Sequence, residues 1–216
     1  YDTTRLSGKN PLYHFVKALI TENVEGSHEK ALVEYNKSLV LYDAVNEEEN
    51  VAKVYSNIGN VYISLNQFDE ALRYKNKALI YFKQFPKSEA YMQTIGGIAQ
   101  IYLNKGEYLR SAKLYMQFLR FYEKAGDTLK MGNAYFRIGL AYDYADMTKQ
   151  AKSYYLKSVK IREQLKDTVG LMNTYNNLGI VYKNTGQLDS AIFFYERSLR
   201  LATLTGMNRY KINPLI

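Results

Sequence analysis

Two histidines, His14 and His28, are the whole imidazole complement of this 216-residue chain, and it contains no cysteine. A transition-metal site needs three or four nitrogen or sulfur ligands at short fixed spacings. These two histidines belong to different helical stretches and have no third ligand near them, so they read as surface or packing residues and no metal is expected. Without cysteine there is no thiol nucleophile and no disulfide. Carboxylates could serve as a general acid and base only as a pair in a pocket, whereas Asp143 and Asp146, or Glu47 to Glu49, stand where loops, caps and helix dipoles favour negative charge. No phosphate-cradling glycine loop, nucleophile elbow or dinucleotide fingerprint is present. The chain therefore reads as non-enzymatic and without a cofactor. The chemistry left to it is that of surfaces, above all amide groups recurring at helical spacing.

The elements that must present those amides are copies of one another. Tyr175 to Leu199 reads YNNLGIVYKNTGQLDSAIFFYERSL. Within it Leu178, Tyr182, Leu188, Tyr195 and Leu199 recur at three-, four- and seven-residue intervals, which gives each of two helices one apolar stripe. Gly179 and Ala191 stand where only a tiny side chain lets two helix backbones approach closely, and Gly186 stands where the first helix ends and the chain turns back. Forty residues upstream the same places hold Ile138, Gly139, Tyr142, Ala151, Tyr155 and Val159. Two further steps of forty give Ile98, Ala99, Tyr102, Gly106, Ser111, Tyr115 and Leu119, then Ile58, Gly59, Tyr62, Asn66, Ala71 and Leu79. A degraded copy, Gly26, Ala31, Tyr35 and Leu39, has Leu19 for the glycine and Glu22 for the tyrosine, as a terminal cap facing water would. One hairpin cannot bury its stripe alone, so a fixed period over nearly the whole chain predicts an all-α fold, an α-solenoid of about five helical hairpins.

These residues resemble the tetratricopeptide-repeat family, whose unit carries a large residue, then Leu-Gly, Tyr, Gly, Ala, an aromatic and a second Ala. The resemblance covers roughly residues 11 to 210 and implies a right-handed superhelix. The period of 40 departs from the usual 34, and the proline that commonly closes the second helix is missing from every copy. The extra residues lengthen the helices and carry turns such as Ala125-Gly126-Asp127-Thr128 and Lys166-Asp167-Thr168. Units of this length are similar to those of kinesin-light-chain-type cargo adaptors, polarity scaffolds with GoLoco partners and sensory regions of bacterial two-component regulators. HEAT and armadillo repeats share the longer period, but the Gly and Ala positions argue against them. The resemblance also implies that the first helix of each unit lines a concave wall. On that wall it places Lys53, Asn57, Asn60, Gln100, Asn133, Arg137, Asn173 and Asn177 as partner-binding residues, with Ser56, Gln93, Asn104, Asn176 and Lys183 beside them. Asn and Gln each offer a donor and an acceptor, which suits the alternating groups of an extended peptide. In related proteins an asparagine just before the Leu-Gly pair forms a ladder; Asn57 and Asn177 match it, and Gly97 and Arg137 do not. Asn60 and Arg137 match fragments of the carboxylate clamp of chaperone-binding relatives, but Ser56 stands where that clamp needs lysine.

Taken in order, Tyr1 to Lys9 is polar and unpatterned, and Asn10-Pro11 is an N-cap followed by proline at the first helical position. Helices are expected from there to about Val24, then over a stretch carrying Ala31 to Tyr42. Asn46 reads as an N-cap ahead of helices at about 47–65 and 67–84. Phe85-Pro86-Lys87 breaks the chain and Ser88 caps the next helix. Pairs at about 89–105 with 107–124, 128–145 with 148–165 and 168–185 with 188–205 complete the series. The units are about 11–50, 51–90, 91–130, 131–170 and 171–210 of a single domain spanning 1–216. Gly96-Gly97, a lone pair inside a helical pattern, reads as a kink. Tyr1 is no initiator methionine, and Asn213-Pro214 repeats the cap-plus-proline pair, so the sequence reads as an excised part of a longer chain.

The 22 tyrosines and absence of tryptophan suit a seam filled by aromatic bodies whose hydroxyls reach polar groups. The net charge of +8 fits acidic peptide partners better than nucleic acid. No stretch holds five consecutive basic residues, and Lys149, Lys152, Lys157 and Lys160 alternate with Tyr154, Tyr155 and Val159 as on a solvated outer face. No run is long enough to span a membrane. A cysteine-free chain is compatible with the cytoplasm and, after loss of a signal peptide, with the periplasm. The expected function is that of a protein- or peptide-binding module, and the family resemblance alone implies the repeat region of a bacterial signalling regulator or sensor. The alternative is a structural scaffold that self-associates through its end faces.

Overall fold

The computed structural model describes residues 9–206; the Asn213-Pro214 pair lies outside them. The described residues form ten helices and no strand: α1 (Pro11–Asn23), α2 (His28–Ala44), α3 (Glu48–Ser64), α4 (Phe68–Phe82), α5 (Glu89–Asn104), α6 (Tyr108–Ala125), α7 (Thr128–Tyr144), α8 (Thr148–Leu165), α9 (Thr168–Asn184) and α10 (Leu188–Leu204). Contacts gather the chain into two compact units, Tyr1–Lys105 and Gly106–Ile216. In the first, α1 pairs with α2 and α3 with α4; α2 packs on α3, and α5 on both α4 and α3. In the second, α7 pairs with α8 and α9 with α10, α6 packs on α7, and α9 rests on both α8 and α7. Within each unit this is the packing of an all-α solenoid, in which one hairpin completes the core of its neighbour.

The turns keep the forty-residue count. Left-handed backbone occurs inside hairpins at Gly26, Asn66, Gly106, Asp146 and Gly186, and between hairpins at Asn46, Gly126, Lys166 and Gly206. Each series is one residue recurring every forty. Its missing member is Pro86, whose ring fixes a negative φ; there the chain turns through Phe85 and Ser88 instead, with Ser88 N–H donating to the Phe85 carbonyl at 2.9 Å. Asn46 is thus a left-handed turn residue, and Glu47 takes the N-cap place assigned to it. Asn10 and Ser88 cap as expected, and Asp127 and Asp167, expected only in turns, cap as well. Asn10 accepts from the amides of Leu12 and Tyr13, Ser88 from Tyr91, Asp127 from Lys130 and Asp167 from Gly170.

The seam glycines make room for a side chain of the next helix, where the sequence pattern suggests backbone meeting backbone. A Cβ on Gly139 would come within 2.7 Å of the Tyr155 ring, and one on Gly179 within 2.5 Å of the Tyr195 ring. Tyr155 is fully buried, as is Ala151 one turn earlier. Ring pairs repeat along the same seam: Tyr62 with Tyr74, Tyr142 with Tyr154 and Tyr182 with Phe194, at centroid separations of 5.4, 5.6 and 5.3 Å. Buried serines pin the paired helices, Ser158 donating to the Gly132 carbonyl and Ser198 to that of Met172, each at 2.9 Å. Four of the tyrosine hydroxyls donate to carboxylates: Tyr35 to Glu22, Tyr155 to Asp143, Tyr135 to Glu123 and Tyr175 to Glu163.

Replacing a glycine inside a helix by leucine raises helix propensity by about 1 kcal/mol. At Gly139, overpacking against an immobile ring costs roughly 1–3 kcal/mol or more, so the second effect wins. Gly139→Leu and Ala151→Leu are each expected to lower the midpoint of thermal unfolding. An unchanged or raised midpoint for both contradicts the seam.

Candidate binding face and a buried lysine

The residues expected on a binding face lie on α3 and α5 of the first unit and α7 and α9 of the second. On α3, Lys53 is partly buried and pairs with Glu49 at 2.6 Å, Asn57 donates its Nδ2 to the Lys53 carbonyl at 2.9 Å, and Asn60 is exposed. On α5, Gln100 donates its Nε2 to Asn104 Oδ1 at 2.7 Å, and Gln93 is exposed. On α7 Arg137 is partly buried, and on α9 so are Asn173, Asn176 and Asn177.

Asn133 is tied into the fold. Its Oδ1 accepts from Arg162 Nη2 at 2.7 Å, while the same guanidinium donates to Ser158 Oγ at 2.9 Å and Asp167 Oδ2 at 2.6 Å. Arg162 is 6% exposed and packs against Phe136. Burial lowers its pKa, against the opposing pull of Asp167. The network links α7, α8 and the turn into α9, and a buried arginine is tolerated there because its donors are matched in a fixed fork.

The first hairpin holds a second buried ionic cluster. His14 Nδ1 meets Glu34 Oε2 at 2.6 Å, and Lys37 and Lys17 reach Glu34 Oε1 at 2.9 and 3.3 Å. Burial pushes the Glu34 carboxyl up, but these three partners outweigh it and hold it at about 2. His14 is thus a packing residue with a specific partner. His28 is partly buried with no hydrogen bond at its Nδ1. Among the described residues no three His, Asp or Glu side chains converge as a metal site would need, and no helix is long and apolar enough to cross a membrane.

The feature that the repeat pattern alone passes over is Lys75. It occupies the place of Tyr35, Tyr155 and Tyr195 in the repeat, yet it is 1% exposed. Its stem lies against Gly59 and its end against Gly97, where a Cβ would come within 2.6 Å of Cε. Its Nζ donates to Ser56 Oγ at 2.9 Å. Gly97 of the Gly96-Gly97 pair is therefore a packing site for a lysine, and α5 runs through the pair uninterrupted. Burial pulls the amine down to about 7, with the charge of Glu22 acting weakly the other way.

A family model described as "Tetratricopeptide repeat" matches residues 18–84 and 149–203, and a second model of that description matches 132–165. The kinesin light chain-related protein 1 of Arabidopsis thaliana is 32% identical over 142 residues, which is 62% of this chain and 23% of that protein. The chain spans about a fifth of the length of such curated relatives. Among solved structures, the apo form of RapI superposes with a TM-score of 0.84 at 18% identity, covering 93% of this chain and 73% of that one. A Rap protein complexed with competence and sporulation factor gives a TM-score of 0.75 at 16% identity, covering 89% and 54%.

Lys75 sets a pH dependence of stability whose sign is fixed. Its pKa is about 7 in the folded chain against an ordinary 10.5, so the unfolded chain binds more protons between those values. Stability then rises with pH across that window, by up to roughly 1.4 kcal/mol per pH unit. Lys75→Met is expected to abolish the rise and to stabilise the protein at pH 7. Urea denaturation of both proteins at pH 7, 8 and 9 checks this; parallel slopes contradict it.

Proposed function

Because the chain belongs to the tetratricopeptide-repeat family, whose repeat regions are protein-interaction modules, we propose that it is the binding region of a bacterial signalling regulator or sensor. It acts without catalysis and holds extended acidic peptide on the first helices of its repeats, α3 and α5 in one unit and α7 and α9 in the other. The observation that carries this reading is the set of partly or fully exposed amides and cations on those helices, Lys53, Asn57, Asn60 and Gln100 in the first unit and Arg137, Asn173 and Asn177 in the second, where Asn133 is already held by Arg162. Extended peptide backbone offers alternating donors and acceptors, which amide side chains match in either sense. Arg137 supplies a fork for a carboxylate, and the net charge of +8 draws acidic chains over a longer range. Support also comes from the fold neighbour whose structure holds competence and sporulation factor. The back-bond from Asn57 to its own helix leaves the Asn57 oxygen as the group a peptide N–H would use.

A second reading, a scaffold that associates with itself, is favoured by one observation. Leu188, Ile192, Leu199 and Leu204 of α10 are exposed, an apolar face of the kind that another hairpin covers in a stacked array. Light scattering separates the two, since a scaffold forms larger species at micromolar concentration without a partner.

The peptide reading is tested with an Asn57→Ala, Asn177→Ala, Arg137→Glu triple variant. Each lost hydrogen bond is expected to cost about 1 kcal/mol of binding, and the charge reversal more for an acidic partner. Helicity and melting should be unchanged. A pull-down from extract of the source cell and calorimetry with the recovered partner give the result. Equal retention of the same partners by wild-type and variant protein overturns the assignment.

A further inference from the structure

Lys75 does two jobs with one side chain. Its stem takes the ring's place against Gly59, where a Cβ would lie 2.9 Å from Lys75 Cγ, much as Gly139 meets Tyr155. The rest of the side chain runs on between α3 and α5, so that Nζ lies 2.9 Å from where a Cβ of Gly97 would stand. Gly97 in turn occupies the repeat place of Asn57, Arg137 and Asn177. In this column α5 contributes no side chain of its own, and α4 delivers an amine to it from beneath. Lys75 is buried, but Ser56 and Gly97 above it are partly exposed, so the amine lies one layer below the surface.

The amine is under-used where it sits. An ammonium has three donors, and Ser56 Oγ takes one. The Thr94 hydroxyl stands 3.4 Å from Ser56 Oγ but donates to the Ala90 carbonyl at 2.8 Å. α3 meets Lys75 with Ser56 and Gly59 and α5 meets it with Gly97, all uncharged. Glu22 of α1 acts on it electrostatically but accepts from Tyr35 at 2.9 Å. A buried ammonium without a carboxylate partner in contact is costly, and an opposite charge brought to it favours the protonated form.

We propose that Lys75, reached between Ser56 and Gly97 from the face of α3 and α5, is a carboxylate-binding site that takes up a proton from solvent as it engages an acidic group of the bound peptide. This rests on the peptide-binding reading and deepens it: the first unit selects for a carboxylate, and does so more strongly as pH falls. Near neutrality the amine is poised between its two forms, so binding and protonation are linked.

The test uses the whole chain with ¹³Cε-labelled lysine, titrated by NMR in sodium chloride, in acetate and in acetamide, the neutral isostere. Lys75→Met identifies the resonance, and Lys75→Tyr, which restores the repeat's own residue, does so if the methionine variant fails to fold. The expected result is a midpoint near 7 in chloride, raised by about one pH unit at saturating acetate, a tenfold coupling, and unmoved by acetamide. The same midpoint in acetate as in acetamide overturns the site and marks Lys75 as sealed packing. That failure is distinct from failure of the peptide reading, because acetate needs nothing from α7 or α9.

Discussion

A side chain from the second helix of a hairpin, laid flat on a glycine of the first, sets the distance between the two. Tyr155 on Gly139, Tyr195 on Gly179 and the stem of Lys75 on Gly59 are three instances of one contact. A β-carbon on the glycine side would drive the helices apart, because interiors packed at crystal density have no slack to absorb it. With that distance held, the stacked ring pairs beside it and the serine-to-carbonyl bonds that pin the helices fall into register. The left-handed residues at forty-residue intervals bring each next helix back to the same seam.

The seam also sorts the surfaces. Once one stripe of each of α3, α5, α7 and α9 is committed to packing, the remaining polar positions of that helix lie on its other side. Polar networks also tie helices together within each unit. Asn133 and Arg162 bind α7 to α8 and to the turn before α9, and His14, Lys17 and Lys37 order the first hairpin around the Glu34 carboxylate. On the proposed peptide-binding reading, donors and acceptors already held in place lose little entropy when a peptide binds.

Most of the fold is legible in the sequence because the repeat period, the seam glycines and the turn glycines are local signals that recur. Helix ends fall within a few residues of their expected places for the same reason. The illegible part depends on two helices at once. Lys75 breaks the tyrosine column and Gly97 breaks the asparagine column; each looks like an isolated exception until they are seen to be one contact. The hint is there, two exceptions twenty-two residues apart in neighbouring hairpins, but the 3.6-residue periodicity alone cannot pair them. Asn133 is legible as polar and not as spoken for, since its partner Arg162 lies in another helix. Asn46 misleads because asparagine serves both as an N-cap and as a left-handed turn residue, and the forty-residue register with Gly126 and Gly206 decides for the turn.

The central claim is that partners bind along the first helices of the repeats, away from the second. A photo-crosslinking residue placed singly at Gln93 of α5, Asn176 of α9, Val40 of α2 or Lys160 of α8 tests it most directly in extract of the source cell. Adducts are expected from Gln93 and from Asn176, and none from Val40 or Lys160, both on exposed surface of second helices. Adducts formed from Val40 and Lys160 but not from Gln93 and Asn176 would contradict it.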